Sequence, residues 1–118
     1  MNIREISGLV GVSAHTLRYY EKIGLLKEVR RNSSGHRFYT SRDLEWVKFI
    51  VRLKETGMQL EKITAYADLR ELGDSTLQQR QKLLEEHRIR LNSVIESQLN
   101  HLKALDQKIT YYKEKISS

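Results

Sequence analysis

A chain of 118 residues has room for one compact domain and an appendage, and its Lys and Arg outnumber Asp and Glu by 21 to 15 for a formal charge of +6. The absence of cysteine excludes disulfides, thiolate metal sites and thiol redox sensing, while the charged start MNIREIS and the lack of any roughly 20-residue apolar run exclude a secretory signal and a membrane span. A soluble, cytoplasmic protein is expected, with attraction to a polyanion concentrated in residues 1–59 (11 basic, 6 acidic) rather than 60–118 (10 and 9).

Without proline, helices must be punctuated by glycines and caps. Ile3, Ile6 and Val10 recur at helical spacing before Gly11 and predict a first helix of about two turns. Ser13 caps a second, Ala14 to Ile23, which Gly24 stops. Two short helices joined by a tight turn containing glycine form a helix-turn-helix outline. On the second helix Leu17 and Tyr20 face a core, leaving Ala14, His15, Arg18, Tyr19 and Lys22 on the outer face. Arg18 suits a guanine edge or a phosphate, and His15 and Tyr19 suit phosphates or sugars; the same face would equally serve as ordinary solvated surface.

Residues 27–39, KEVRRNSSGHRFY, lose the helical period around an Asn-Ser-Ser-Gly cluster and predict a basic hairpin. Strand alternation puts Arg37 and Tyr39 on one face and His36 and Phe38 on the other, with Phe38 expected to anchor the hairpin to the core and Arg37 and Tyr39 to point elsewhere. Thr40 and Asp43 form an acidic capping box before a third helix with Leu44, Val47, Ile50, Val51 and Leu53 as its apolar stripe up to Gly57. A fourth helix, Gln59 to about Leu72, turns Leu60, Ile63, Ala67 and Leu69 inward and ends at Gly73.

Ser75 and Gln78 then read as a capping box for a much longer helix, giving expected domains of 1–73 and 74–118. From residue 77 a heptad seam runs through Leu77, Leu84, Leu91, Gln98, Leu105 and Tyr112 at one position and Gln81, Arg88, Ile95, Leu102, Ile109 and Ile116 at the other. About 40 residues at about 1.5 Å each reach about 60 Å, beyond what the head could cover. A second copy is the simplest partner, with Leu77, Leu84, Leu91, Ile95, Leu102, Leu105 and Ile109 as dimerisation residues. The four histidines form no ligand cluster, so no metal and no cofactor is expected. Tyr111 and Tyr112 would either cap the coiled-coil end or line a small-molecule pocket at a dimer interface.

Three stretches carry a family resemblance: VSAHTLRYYEKIGLL at 12–26, NSSGHRFYTSRDL at 32–44 and FIVRLKETGMQLEKI at 49–63. Together they resemble the MerR family of bacterial transcription regulators along the whole chain. The resemblance implies a mainly α fold: a winged helix-turn-helix head with a small β-hairpin wing, then a long dimerisation helix in an antiparallel coiled coil. It further implies double-stranded promoter DNA as partner. Thr16, Arg18, Tyr19 and Tyr20 fall in the recognition-helix motif, and Arg37 and Tyr39 in the first wing. A second wing would begin around Met58 to Leu60, where relatives often carry a basic residue and this chain has Gln59.

The chain ends at Ser118, soon after the long helix, so no effector-binding domain is expected. Family members distort the centre of a palindromic operator to realign promoter elements, which would involve RNA polymerase indirectly. Two further readings are a coiled-coil adaptor, which leaves the basic wing and exposed Arg18 unused, and an architectural winged-helix factor, which would not need the long helix. An enzyme is not expected, for lack of paired carboxylates, a nucleophile elbow or a phosphate-binding glycine loop.

Overall fold

The computed structural model describes residues 1–118 in the order α1 (Ile3–Val10), α2 (Ala14–Lys22), β1 (Arg30–Arg31), β2 (Arg37–Phe38), α3 (Ser41–Glu55), α4 (Leu60–Glu71), a single 3₁₀ turn (Asp74–Thr76) and α5 (Leu77–Ser117). It separates into two compact units, Met1–Leu83 and Leu84–Ser118. The expected head, hairpin and long helix are all present, and the fold is mainly α.

Local chemistry sets the ends of the short elements. Asn2 caps α1 through a box with Glu5, and Gly11 closes it in the left-handed region at φ 70°. Ser7 Oγ then donates to Val12 O at 2.6 Å, fixing the turn into α2. Ser13 Oγ accepts from the Thr16 amide, and the α2 end is closed by Leu25 and Leu26 amides donating to Tyr20 O, with Gly24 left-handed at φ 85°. Thr40 and Asp43 cap α3 reciprocally, as expected.

The core of the first unit is one cluster: Ile6 of α1, Leu17 of α2, Leu25 and Leu26 after it, Val47, Ile50 and Leu53 of α3, Met58, and Ile63 and Ala67 of α4. Each fully buried leucine or isoleucine stabilises the fold by roughly 1.5–3 kcal/mol. Trp46 is buried beside them; its indole N–H donates to Leu25 O at 2.7 Å, Tyr66 stacks on it at 5.7 Å, and the Arg70 guanidinium lies 4.5 Å from its ring. Burial and the charge of Arg42 both hold the Arg70 pKa below its ordinary value.

One cap differs from expectation. The Ser75–Gln78 box does not open the long helix; the 3₁₀ turn does, with no side-chain cap of its own. Buried Thr76 ties the connection instead, its hydroxyl donating to Leu69 O at 2.6 Å and Gly73 O at 2.9 Å while Arg80 Nε donates to it at 3.1 Å. A threonine one residue nearer the helix reaches the last turn of α4, which Ser75 on the exposed side does not.

The second unit is a bare stretch of α5. Beyond Leu91 every side chain is exposed, including Ile95, Leu99, Leu102, Leu105, Ile109, Tyr111, Tyr112 and Ile116. Leu84 and Leu91 are half-buried, whereas Leu77 is exposed. The apolar ladder Leu91, Ile95, Leu102, Leu105, Ile109, Tyr112 and Ile116 follows steps of three, four or seven residues and so stays on one face. Leu99 lies four residues after Ile95 and widens this stripe where the heptad position itself holds polar Gln98. No helix is long and apolar enough to cross a membrane.

Candidate nucleic-acid interface

The outer face of α2 carries exposed His15, Arg18, Tyr19 and Lys22. Buried Leu17 and Tyr20 fix the helix rotation that turns these four outward. Thr16 is half-buried; its backbone amide and hydroxyl are both engaged by the Ser13 hydroxyl. Tyr20 is only 2% exposed and belongs to the core. Its hydroxyl accepts from Lys54 Nζ at 3.3 Å, which ties α2 to α3.

The hairpin keeps the expected alternation with the opposite face turned inward. Strands β1 and β2 pair antiparallel, Arg30 opposite Phe38 and Arg31 opposite Arg37. Phe38 is 45% exposed, whereas Tyr39 is fully buried. Apolar content alone favoured an inward Phe38. The deciding contacts lie on the other face: Arg37 Nε donates to Glu21 Oε2 of α2 at 2.6 Å, and Tyr39 exchanges backbone hydrogen bonds with Met1. The expectation that Arg37 and Tyr39 point away from the head is therefore corrected for both. Arg37 is a quarter exposed, and the Tyr39 hydroxyl is sealed in without a hydrogen-bond partner. Burial is the main cause raising the Tyr39 pKa above its ordinary value.

Beside the hairpin lies a hollow of about 390 Å³ lined by Arg4, Arg18, Arg31, His36 and Arg37, with Asn2 and Asn32 among its polar walls. No carboxylate faces it, and it brings together basic groups from α1, α2 and both strands, which suits phosphate oxygens. Arg4 and Arg31 were missed from sequence. The periodicity that puts Ile6 in the core also turns Arg4 outward, but nothing in a linear reading joins it to the hairpin of β1 and β2.

A second hollow, about 480 Å³, lies between Tyr19 and Ile23 of α2 and the start of α4, lined there by Gln59, Leu60, Glu61 and Thr64. Gln59 is the α4 N-cap but makes no side-chain cap bond, and neighbouring Met58 is buried. No three His, Asp or Glu side chains converge anywhere in the chain as a metal site would require.

Comparison with known proteins gives this surface its context. The family model described as MerR HTH family regulatory protein matches residues 1–72, and one described as MerR, DNA binding matches 44–110. An uncharacterized HTH-type transcriptional regulator of Haemophilus influenzae is 36% identical over 89% of this chain and 78% of its own length. The HTH-type transcriptional regulator AdhR of Bacillus subtilis is 38% identical over 77% of this chain, which spans 65% of that relative. Among solved structures, HiNmlR, a MerR family regulator lacking the sensor domain and bound to promoter DNA, superimposes with a TM-score of 0.86 at 34% identity, covering 96% of this chain and 90% of that one. The chain belongs to the MerR family of helix-turn-helix regulators, and it is a DNA-binding transcriptional regulator rather than an enzyme.

Proposed function

We propose that this regulator binds a palindromic promoter operator as a homodimer, distorts the DNA at the dyad and controls transcription by changing the spacing seen by RNA polymerase. The observation that carries the reading is the pairing of two exposed surfaces of opposite character. One is the hollow and α2 face, with Arg4, His15, Arg18, Tyr19, Arg31 and Arg37. The other is the uncovered apolar stripe of α5, which includes Ile95, Leu102, Leu105 and Ile109.

Arg18 and Tyr19 enter the major groove, with His15 at their N-terminal side, while Arg37 grips the flanking phosphates. Thr16 sets the start of the helix, and Tyr20 and Tyr39 support it from beneath. The stripe of α5 pairs antiparallel with its copy, joined at its upper end by half-buried Leu84 and Leu91 and by Leu77. Dimerisation fixes the separation of two half-sites. Bending the DNA between them costs about 1–6 kcal/mol, which phosphate contacts offset. That a similar regulator without a sensor domain has been solved on promoter DNA supports promoter DNA as the partner. The protein works in the cytoplasm on the nucleoid, tuned by abundance, by a partner or by a small ligand held between copies of α5 near Tyr111 and Tyr112.

The test is a target promoter whose spacer is shortened to the length polymerase prefers. Expression should become independent of the protein or be repressed by it. Continued need for the protein on the shortened promoter, or straight DNA in the complex, would replace distortion by simple recruitment or occlusion.

A further inference from the structure

We infer that Glu21 is a positioning residue for DNA binding: a carboxylate that holds the wing arginines Arg31 and Arg37 in a phosphate-ready arrangement. The inference rests on the wing lying against DNA as proposed above. An acidic residue beside a DNA-binding surface would by simple electrostatics oppose the polyanion, so its presence at this point needs a reason.

The hairpin register supplies one. Arg31 and Arg37 are direct cross-strand partners, an arrangement that is destabilising for like charges. Glu21 sits between them, its Oε2 accepting from Arg37 Nε at 2.6 Å and its Oε1 lying 3.9 Å from Arg31 Nη2. Arg31 is tethered a second time, its Nη1 donating to Gly35 O of the turn at 3.3 Å. One carboxylate thus offsets the repulsion within this two-residue ladder.

The geometry of the short contact also matters. It engages Nε of Arg37, at the inner edge of the guanidinium, and so leaves the terminal Nη groups as its outer edge. These are the groups that a phosphate would use. An arginine carries large rotamer freedom, and fixing it before DNA arrives removes an ordering cost from the binding step. Glu21 reaches the wing from α2, the helix that carries Arg18 and Tyr19, so the same bond sets the wing against the recognition helix.

The experiment is a double-mutant cycle of Glu21→Ala and Arg37→Ala, with affinity for a short mixed-sequence duplex measured across a salt series. Glu21→Ala should weaken binding about tenfold, the worth of one charge-assisted hydrogen bond, and flatten the salt slope by about one. In the Arg37→Ala background both effects should be much smaller, because only the longer Arg31 contact remains to be lost. Tighter binding by Glu21→Ala, or an equal loss in both backgrounds, overturns the inference. If Arg37→Ala alone leaves affinity and slope untouched, the wing reading fails instead, and the two failures are told apart. Should Glu21→Ala unfold, the wild type decides. In proton–nitrogen correlation spectra the Arg37 Nε–H, protected by Glu21 in the free protein, should stay protected on DNA. Loss of that protection on binding would mean that phosphate displaces Glu21, and would overturn the inference.

Discussion

Tyr39→Phe should stabilise the free protein. Tyr39 is fully buried and its hydroxyl has no hydrogen-bond partner, so the native state carries the desolvation of a polar group that the unfolded chain leaves in water. An unsatisfied buried hydroxyl costs about 1–3 kcal/mol, and the ring itself is unchanged by the substitution. Taking the lower figure, a head of this size should melt about 4–8 °C higher. Alkali provides a second readout. Burial raises the folded-state pKa above the ordinary 10.0, so above that pH the unfolded chain releases a proton that the folded protein retains. Wild-type stability therefore falls as pH rises through the window above 10.0, a component that Tyr39→Phe lacks, and the gap between the two proteins should widen there. Thermal melts at neutral pH and at about pH 10.5, just above the ordinary tyrosine range, measure both effects. A Phe variant that melts lower than wild type at neutral pH would refute the reasoning, because the hydroxyl would then have a partner.

Arg18→Ala should relax operator preference, with about 1–3 kcal/mol at stake if it reads a base edge, whereas Arg37→Ala should weaken all sequences alike and flatten the salt slope; competition binding at two salt concentrations separates them. Leu102→Lys should weaken dimerisation at least about 100-fold, since two leucines are lost per dimer and two charges must be accommodated, and sedimentation would show a monomer where the wild type is paired. Thr76→Val should cost about 1–2 kcal/mol in urea melts, because Leu69 O and Arg80 lose their shared hydroxyl.

Elements with local causes were legible in the sequence. The caps at Ser13 and Thr40–Asp43 and the left-handed glycines 11, 24, 57 and 73 give the ends of the four short helices, because each acts on its own turn. The outward face of α2 followed from Leu17 and Tyr20 three residues apart. The recognition-helix motif points Tyr20 to DNA, whereas that same periodicity points it to the core, where the structure buries it. The hairpin shows where local reasoning stops. Alternation correctly grouped Arg37 with Tyr39, but which face turned inward depended on Glu21, 16 residues away, and on the Met1 backbone. Charge pairing across such a separation leaves no trace in a period-two pattern. The same holds for the basic hollow, whose Arg4 and Arg31 come from elements that only the tertiary fold brings together.

Trp46 is the single tryptophan of the chain, and its surroundings make it a private optical reporter. Its indole is bonded to the Leu25 carbonyl, stacked on Tyr66 and covered by Arg70, so opening of the head must change its emission. The stretch from Leu84 to Ser118 contains no such chromophore but contributes a large share of the helical signal in far-ultraviolet circular dichroism. Fluorescence therefore follows one unit, while dichroism reads both. Non-coincident melting curves from these two probes would separate the unravelling of the long helix from the cooperative loss of the core, without labels or truncation.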